Sequence, residues 1–316
     1  MSNKRVVIFG KPESWHSQVL LRALKKRKAE VFFTDVNRLR ARLGSPLEVL
    51  AEDIPLSHYD GAFVREVPGG SLEQVIFRMD ALHQLENSGM KVINSPHAIE
   101  KMVDKYYTLS LLQGAGLPVP ETLVLEGVTE ALEAFHELGG DVVVKPLFGS
   151  RGVGMVRVSD SETAGRVFKA LQLGGFVYYL QEFIPHGDRD LRVLVVGEEC
   201  VASMERVAAN WKTNIASGGT PVPYEPDEEV RAVSLKAAQI LGADYCGVDL
   251  LRSTSGSLFL LEVNSMPAWQ GLQEVTPFDI AERIVAYCLK LVRGASGRAP
   301  VGPLVPKSTK TIQPKP

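Results

Sequence analysis

The sequence predicts an α/β protein, with a parallel α/β unit followed by two α+β subdomains. Three features predict it: strand-like and helix-like segments alternate over the first 95 residues, prolines break the chain near residue 118, and residues 247–264 read as a β-hairpin.

Val6, Val7, Ile8 and Phe9 lie in a first strand over 5–9, followed by a loop over 10–17 and an apolar-periodic helix over 18–28. Strand 30–34, strand 61–64, helix 72–88 and strand 91–93 continue the alternation, as a parallel sheet with crossover helices requires. Asn94, Ser95 and Pro96 punctuate the chain, so the first unit is expected over 1–95. A helical pattern over 99–114 opens a second unit, 96–175, in which Pro118 and Pro120 exclude helix and impose an extended connection. Helix 129–138, strand 141–145, a glycine-rich turn, strand 155–158 and helix 161–171 complete it. A third unit, 176–292, holds further strands, helix 228–241, the hairpin and a last helix over 279–292. Over 293–316 the periodicity gives way to Gly, Ser, Pro and Lys, the composition of a disordered tail.

The 316 residues carry 35 Lys plus Arg against 37 Asp plus Glu, so the net charge of -2 offers no general attraction for nucleic acid or anionic lipid. Neither is an expected partner, and any basic site must be local. No stretch approaches the roughly 20 apolar residues needed to span a bilayer, and the N-terminal apolar run is too short for a signal peptide. Cys200, Cys246 and Cys288 are odd in number, far apart and outside CxxC spacing, which argues against a disulfide framework or a cysteine zinc site and for the cytoplasm. The six histidines are scattered, form no Ser-His-Asp or Cys-His set, and read as structural or surface residues; His97 falls nearest the expected inter-domain cleft.

In the hairpin, a register that sets Leu251 against Leu260 and Leu250 against Leu261 also sets Asp249 against Glu262. Val248, Leu250, Leu261 and Val263 then share one face, and Asp249, Glu262 and Asn264 the other. Two carboxylates directly across a strand pair repel unless a cation or proton lies between them, and oxygen-only ligation suits Mg²⁺ or Mn²⁺. The same residues could equally be the wet face of an ordinary hairpin.

Lys145 ends a buried strand just before a loop with Gly149, Ser150, Gly152 and Gly154, whose backbone N–H groups can approach an anion closely. The loop lacks a GK[ST] ending and does not open a helix, so neither the P-loop nor the dinucleotide fingerprint fits. Alone, it could be a plain hairpin tip. Residues 178–185 read as a strand entering a loop, suited to backbone hydrogen bonds with an adenine or to a simple turn.

Taken in order, Lys105, Lys145 with its glycine loop, Gln181 to Ile184, Asp190, Arg192, Arg206, Asp249, Glu262 and Asn264 resemble the ATP-grasp superfamily, most closely the RimK-like glutamate ligases. The resemblance spans about 95–292, and the first unit resembles the pre-ATP-grasp domain more loosely. It implies two α+β subdomains that clamp ATP. Lys105 and Lys145 would contact phosphates together with the loop glycines and Ser150. Gln181, Glu182, Phe183 and Ile184 would frame the adenine, Asp190 would hold the ribose, and Lys212, Thr213 and Asn214 would line the same pocket. Asp249, Glu262 and Asn264 would bind two Mg²⁺ ions, with Mn²⁺ possible, and Arg192 and Arg206 would act catalytically on the reacting carboxylate and phosphoryl group.

The implied reaction is ATP-dependent carboxylate–amine ligation through an acyl phosphate, with residues 149–155 as a lid that excludes water. The loop over 211–219 is consistent with L-glutamate as the amine. Residues 267–272 resemble members that glutamylate pterin-type carriers such as tetrahydromethanopterin, where Trp269 could stack on a flat ring or simply pack in the core. Protein C-termini and amino-group carrier proteins are alternative acceptors, and a non-catalytic ATP sensor is the alternative of another class. Ala268 stands where relatives commonly have glycine. The resemblance also implies a homo-oligomer. Asp249→Ala and Glu262→Ala are expected to abolish turnover with the fold intact.

Overall fold

The computed structural model describes residues 3–292, apart from 46, 150 and 151; the expected tail and Ser150 lie outside these described residues. The apolar run of β1 (Arg5–Phe9) is fully buried because β1 is an inner strand. α1 (Trp15–Lys26) leads to β2 (Glu30–Thr34). A small antiparallel sheet follows, formed by β3 (Leu39–Arg42), β4 (Glu48–Ala51) and β5 (Ile54–Pro55). β6 (Gly61–Val64), α2 (Leu72–Asn87) and β7 (Lys91–Ile93) complete a parallel sheet in the order β2-β1-β6-β7. Burial on both faces makes its inner strands continuous apolar runs rather than alternating ones.

α1 starts at Trp15 rather than at 18, because the Ser14 hydroxyl caps it by accepting from the Ser17 N–H at 3.2 Å. The small sheet is not expected from the sequence. Its exposed arginines pair across the strands and turns with acids, Arg42 with Glu48 at 3.3 Å and Arg40 with Asp53, so its strands carry charge where a strand signature needs apolar residues.

The single helix expected over 99–114 is two: α3 (Pro96–Val103) and α4 (Lys105–Gly114). Asp104 divides them. Its backbone is extended and its carboxylate accepts from the Tyr107 N–H at 3.0 Å, so it ends one helix and caps the next. Lys105 therefore opens a helix instead of lying within one.

β8 (Thr122–Leu125), α5 (Val128–Glu137), β9 (Val142–Lys145), β10 (Val156–Val158), α6 (Ser161–Leu173) and β11 (Tyr178–Glu182) follow. Their strands form an antiparallel sheet in the order β10-β9-β11-β8, with Phe135 of α5 and Phe168 of α6 packed on Val142, Val144, Tyr178 and Leu180. The strand at 178–182, assigned from sequence to the third unit, thus pairs inside the second sheet.

The last sheet, in the order β14-β13-β12-β15-β16, comprises β12 (Arg189–Val196), β13 (Glu199–Val207), β14 (Thr220–Pro223), β15 (Tyr245–Arg252) and β16 (Leu258–Asn264). α7 (Glu228–Leu241) precedes β15, and α8 (Gln270–Glu274) and α9 (Ile280–Leu291) end the described chain. α7 shares one core with α3, α4 and the sheet face carrying Leu191, Val193, Val248, Leu250 and Leu260. Leu194, Val196 and Met204 on the opposite face join α9 and α1.

Buried Asn94 binds the first unit to this sheet: its amide donates to the carbonyls of Tyr245 at 2.8 Å and Ser265 at 2.6 Å, and its oxygen accepts from the N–H groups of Asp244 at 2.7 Å and Tyr245 at 3.1 Å. Every donor and acceptor site used here is buried or half-buried, so losing the amide strands polar groups at about 1–3 kcal/mol each. Asn94→Ala should lower unfolding stability by about 3 kcal/mol in urea titrations; a loss below about 1 kcal/mol would show that the amide is not the joint.

Candidate active site

Strand alternation decides what the last sheet shows to the cleft. On β12, Leu191, Val193 and Val195 face α7, while Asp190 and Arg192 lie on the other side, in line with Leu194 and Val196. That side is apolar where it meets α9 and charged where it meets the second sheet. Across it, β9 turns Val142 and Val144 into its own core and presents Val143 and Lys145. The two sheets line a cleft of about 710 Å³, partly open to solvent.

A buried charge array forms its floor. Asp190 accepts two hydrogen bonds from Arg206, both at 2.6 Å. Asp249 accepts from Arg192 through Nη2 at 2.6 Å and also through Nε, and Arg206 Nη2 lies 3.2 Å from Oδ2, the oxygen that also accepts from Arg192 Nη2. Burial pushes the Asp249 carboxyl up, but the two guanidinium groups outweigh it and hold it below the usual carboxylate range. Burial likewise favours neutral Arg206, and Asp249 and Asp190 reverse that, keeping it charged. Gly247 makes room for the array: a Cβ there would sit 2.9 Å from Pro267 Cβ and 3.1 Å from Arg192 Nη1.

The two lysines occupy the opposite wall. Lys145 Nζ donates to Gln181 Oε1 at 2.5 Å, and Gln181 is held in turn by donating to Thr122 Oγ1 at 2.9 Å. Burial pushes Lys145 down to about 8, against the pull of Glu262. Burial also lowers Lys105, with Glu262 and Asp104 opposing. From the first residue of α4, Lys105 reaches the glycine loop and donates to the Gly149 carbonyl at 2.9 Å. Gly152 has φ +71° and a Cβ there would meet Asn214 Oδ1 at 2.5 Å, so only glycine lets the loop approach the 212–214 segment. Lys212 fastens the same contact by donating to the Met155 carbonyl at 2.7 Å.

Asp249 faces Glu262 as expected, but a bulge between Asp249 and Leu250 shifts the rest of the pairing: Leu250 faces Leu260, and Leu251 faces Phe259. The expected Leu250–Leu261 and Leu251–Leu260 pairs do not form. Leu260 takes the core position assigned to Leu261, and Leu261 lines the cleft beside Glu262. The extra residue in one strand puts two successive side chains on one face. Glu262 accepts from Asn264 Nδ2 at 3.1 Å, which leaves the amide oxygen as the donor atom that Asn264 could offer a cation. Asp249, Glu262 and Asn264 together supply the hard oxygen donors that Mg²⁺ requires.

Lys145, Gly152, Gln181, Glu182, Phe183, Ile184, Asp190, Arg206, Lys212, Thr213, Asn214, Asp249 and Glu262 all line the cleft. Lys105, Gly149, Arg192 and Asn264 stand behind these through the contacts given above, and Gly154, with φ +81°, packs on Pro146. The Glu182 carboxylate is committed to the Glu121 N–H at 2.8 Å. Phe183 lies with its ring under the Arg157 guanidinium, 3.5 Å from the ring centroid, and donates its N–H to Asp141.

Met155 and Trp211 line the cleft from the segments expected there, whereas Val143, His186, Leu251 and Leu261 line it and escaped sequence reading. Alternation from Lys145 finds Val143, and alternation from Asp249 finds Leu251; Leu261 is hidden by the bulge. Trp269 is core, not a stacking platform. It is 1% exposed, Arg65 covers it with its guanidinium carbon 4.7 Å from the ring centroid, and its backbone N–H donates to His16 Nε2 at 3.0 Å.

Residues 102–288 match the RimK-like ATP-grasp domain. The chain is 33% identical over 310 residues to the tetrahydromethanopterin:alpha-L-glutamate ligase of Methanosarcina acetivorans, covering 87% of this chain and 95% of that one. It is 34% identical over 206 residues to the alpha-aminoadipate–LysW ligase LysX of Sulfurisphaera tokodaii, covering 63% and 72%. The ATP-grasp ligase PsnB, solved with a minimal precursor, Mg and ADP, has the same fold, with TM-score 0.70 at 21% identity over 91% of this chain and 98% of that one. The chain belongs to the RimK-like ATP-grasp family.

Proposed function

We propose that this chain is an ADP-forming ligase that joins L-glutamate to an acceptor carboxylate, and that the acceptor is a pterin-type carrier such as tetrahydromethanopterin. The observation that carries the reading is the array of Arg206, Asp190 and Asp249, backed by Arg192 and flanked by Glu262, across one cleft from Lys145. Similarity along most of the chain to a tetrahydromethanopterin:alpha-L-glutamate ligase supports the acceptor. An amino-group carrier protein is the second reading, favoured by the similarity to the LysW ligase.

Such a reaction moves the γ-phosphoryl group of ATP onto the acceptor carboxylate, and the amine of glutamate then displaces phosphate from the acyl phosphate. Two anions must meet, so catalysis needs fixed positive charge more than a nucleophilic side chain. Arg206 and Arg192 supply that charge on the floor, already oriented by Asp190 and Asp249. Lys145 and Lys105 supply it on the wall beside the glycine loop. In this reading Asp249, Glu262 and Asn264 hold two Mg²⁺ ions, replaceable by Mn²⁺, which neutralise phosphate oxygens when bound. The adenine lies along 181–184 and the ribose beside Asp190, whose oxygens keep spare lone pairs after binding Arg206. The loop from Gly149 to Met155 closes over the acyl phosphate. Cytoplasmic operation, supported by three free cysteines, belongs to the same proposal, as does a homo-oligomer, supported by the exposed Leu72, Ile76 and Phe77 of α2.

The direct test is mass spectrometry after incubation with Mg-ATP, L-glutamate and tetrahydromethanopterin. A glutamyl adduct with matching ADP release is expected. Adducts on a carrier protein alone would replace the pterin reading, and no glutamate-dependent ADP with any acceptor would favour an ATP sensor.

The array also refines the mutational expectation. Asp249→Ala leaves two buried guanidinium groups without their shared partner, which typically costs about 3–5 kcal/mol, so lost activity would be mixed with lost stability. Glu262 pairs directly with no guanidinium, and Glu262→Gln keeps the oxygen that accepts from Asn264, so it should lower kcat by about 10²–10³ with a smaller loss of stability than Asp249→Ala. Wild-type turnover in that variant would remove Glu262 from the metal site.

Lys145 sets an alkaline limit. With its folded pKa near 8 and below its unfolded value, its burial penalty is fully present below 8 and is relieved as pH rises from there towards the unfolded value. Phosphate binding needs the charged form, so kcat/KM for ATP should fall above about pH 8 while kcat, read in the complex, changes less. Lys145→Arg should move the limb upward, because a guanidinium stays charged; an identical limb would assign it to another group.

A further inference from the structure

We propose that His83, His97 and Glu100 form a binding site for a transition-metal dication, with Zn²⁺ the best fit, at the joint between α2 and α3. None of the three lines the cleft, and the inference does not depend on the ligase reading. His97 and Glu100 are one turn apart at the start of α3, an i,i+3 pair on one helix face. The Ser95 cap and the buried Pro96, Ala98 and Ile99 fix that turn in place. His83 approaches from α2, half-buried.

The Glu100 carboxylate is shared by both imidazoles: Oε1 lies 2.8 Å from His83 Nε2, and Oε2 lies 3.5 Å from His97 Nδ1. The rings sit 4.5 Å apart at 63°, and one donor atom from each residue falls within 4.8 Å of the other two. Tetrahedral zinc, with bonds of about 2.0–2.2 Å, holds its donors roughly 3.4 Å apart, so small side-chain rotations close the site. A plain hydrogen bond between His83 and Glu100 needs no second imidazole on the same carboxylate. Two imidazoles and one carboxylate select Zn²⁺, Co²⁺ or Ni²⁺ over Mg²⁺, in contrast to the oxygen donors on the hairpin. His97 is 75% exposed, which leaves an entry path and a fourth position for water. A bound ion would clamp α2 to α3, the helix that ends at Val103, just before Asp104 and Lys105.

The test uses the full chain, stripped with chelator and held in excess Mg²⁺ without nucleotide, titrated with Zn²⁺ by calorimetry and with Co²⁺ by visible absorption. The expected result is one equivalent bound with an intense, tetrahedral Co²⁺ spectrum, and a thermal midpoint raised by Zn²⁺. His97→Ala, at an exposed position that leaves the fold alone, should weaken binding at least about tenfold. His83→Gln should do the same, whereas Glu262→Gln and Cys200→Ser should bind like wild type. Equal Zn²⁺ binding by wild type and the His83→Gln/His97→Ala double variant, or no Zn²⁺ uptake by wild type, would overturn the site.

Discussion

The placement of Asp249 between two buried arginines is the constraint on which the rest of the site depends. Arg192 comes from β12, Arg206 from β13 and Asp249 from β15, so three strands must keep register for the charges to meet. A buried ion is costly unless each charge has a partner, and here every partner lies on a neighbouring strand. Asp190 completes the pairing of Arg206. The result is a pair of guanidinium groups, each already oriented by a carboxylate, on the floor of the cleft.

Around that floor, the other units are held by polar joints rather than by apolar contact alone. Asn94 uses donors and acceptors together on the chain around Tyr245 and Ser265, next to the strand that carries Asp249. Arg65, just after β6, donates to the Tyr245 hydroxyl at 2.9 Å and to the Pro267 carbonyl at 2.8 Å and covers Trp269. The segment after the hairpin is thereby tied to the first sheet. Trp269 is spent on this joint, so any specificity for a flat acceptor ring must come from other side chains.

Hydrophobic periodicity made most elements legible. The strands at 5–9, 30–34, 61–64 and 91–93 and the helix at 228–241 stand where the apolar pattern puts them. Errors fell where a polar side chain overrides the period: the Ser14 cap starts α1 early, and the Asp104 cap splits one expected helix into two. The small sheet was illegible because its arginines pair with acids across its own strands and turns, which interrupts the apolar alternation that Leu39, Val49 and Ala51 would otherwise show.

For the site, the family resemblance carried by residue types and their order along the chain was enough to gather Lys105, Lys145, the glycine loop, the 181–184 strand end, Asp190, Arg192, Arg206 and the Asp249–Glu262 pair, which the fold brings into one cleft or just behind its lining. Tertiary structure alone decided the rest. The bulge that turns Leu261 into the cleft adds one residue to one strand, and no local pattern marks it. The commitment of Asp190 to Arg206, the burial of Trp269 and the meeting of His83 with His97 and Glu100 depend on which elements pack together, and packing joins residues that are far apart in the chain.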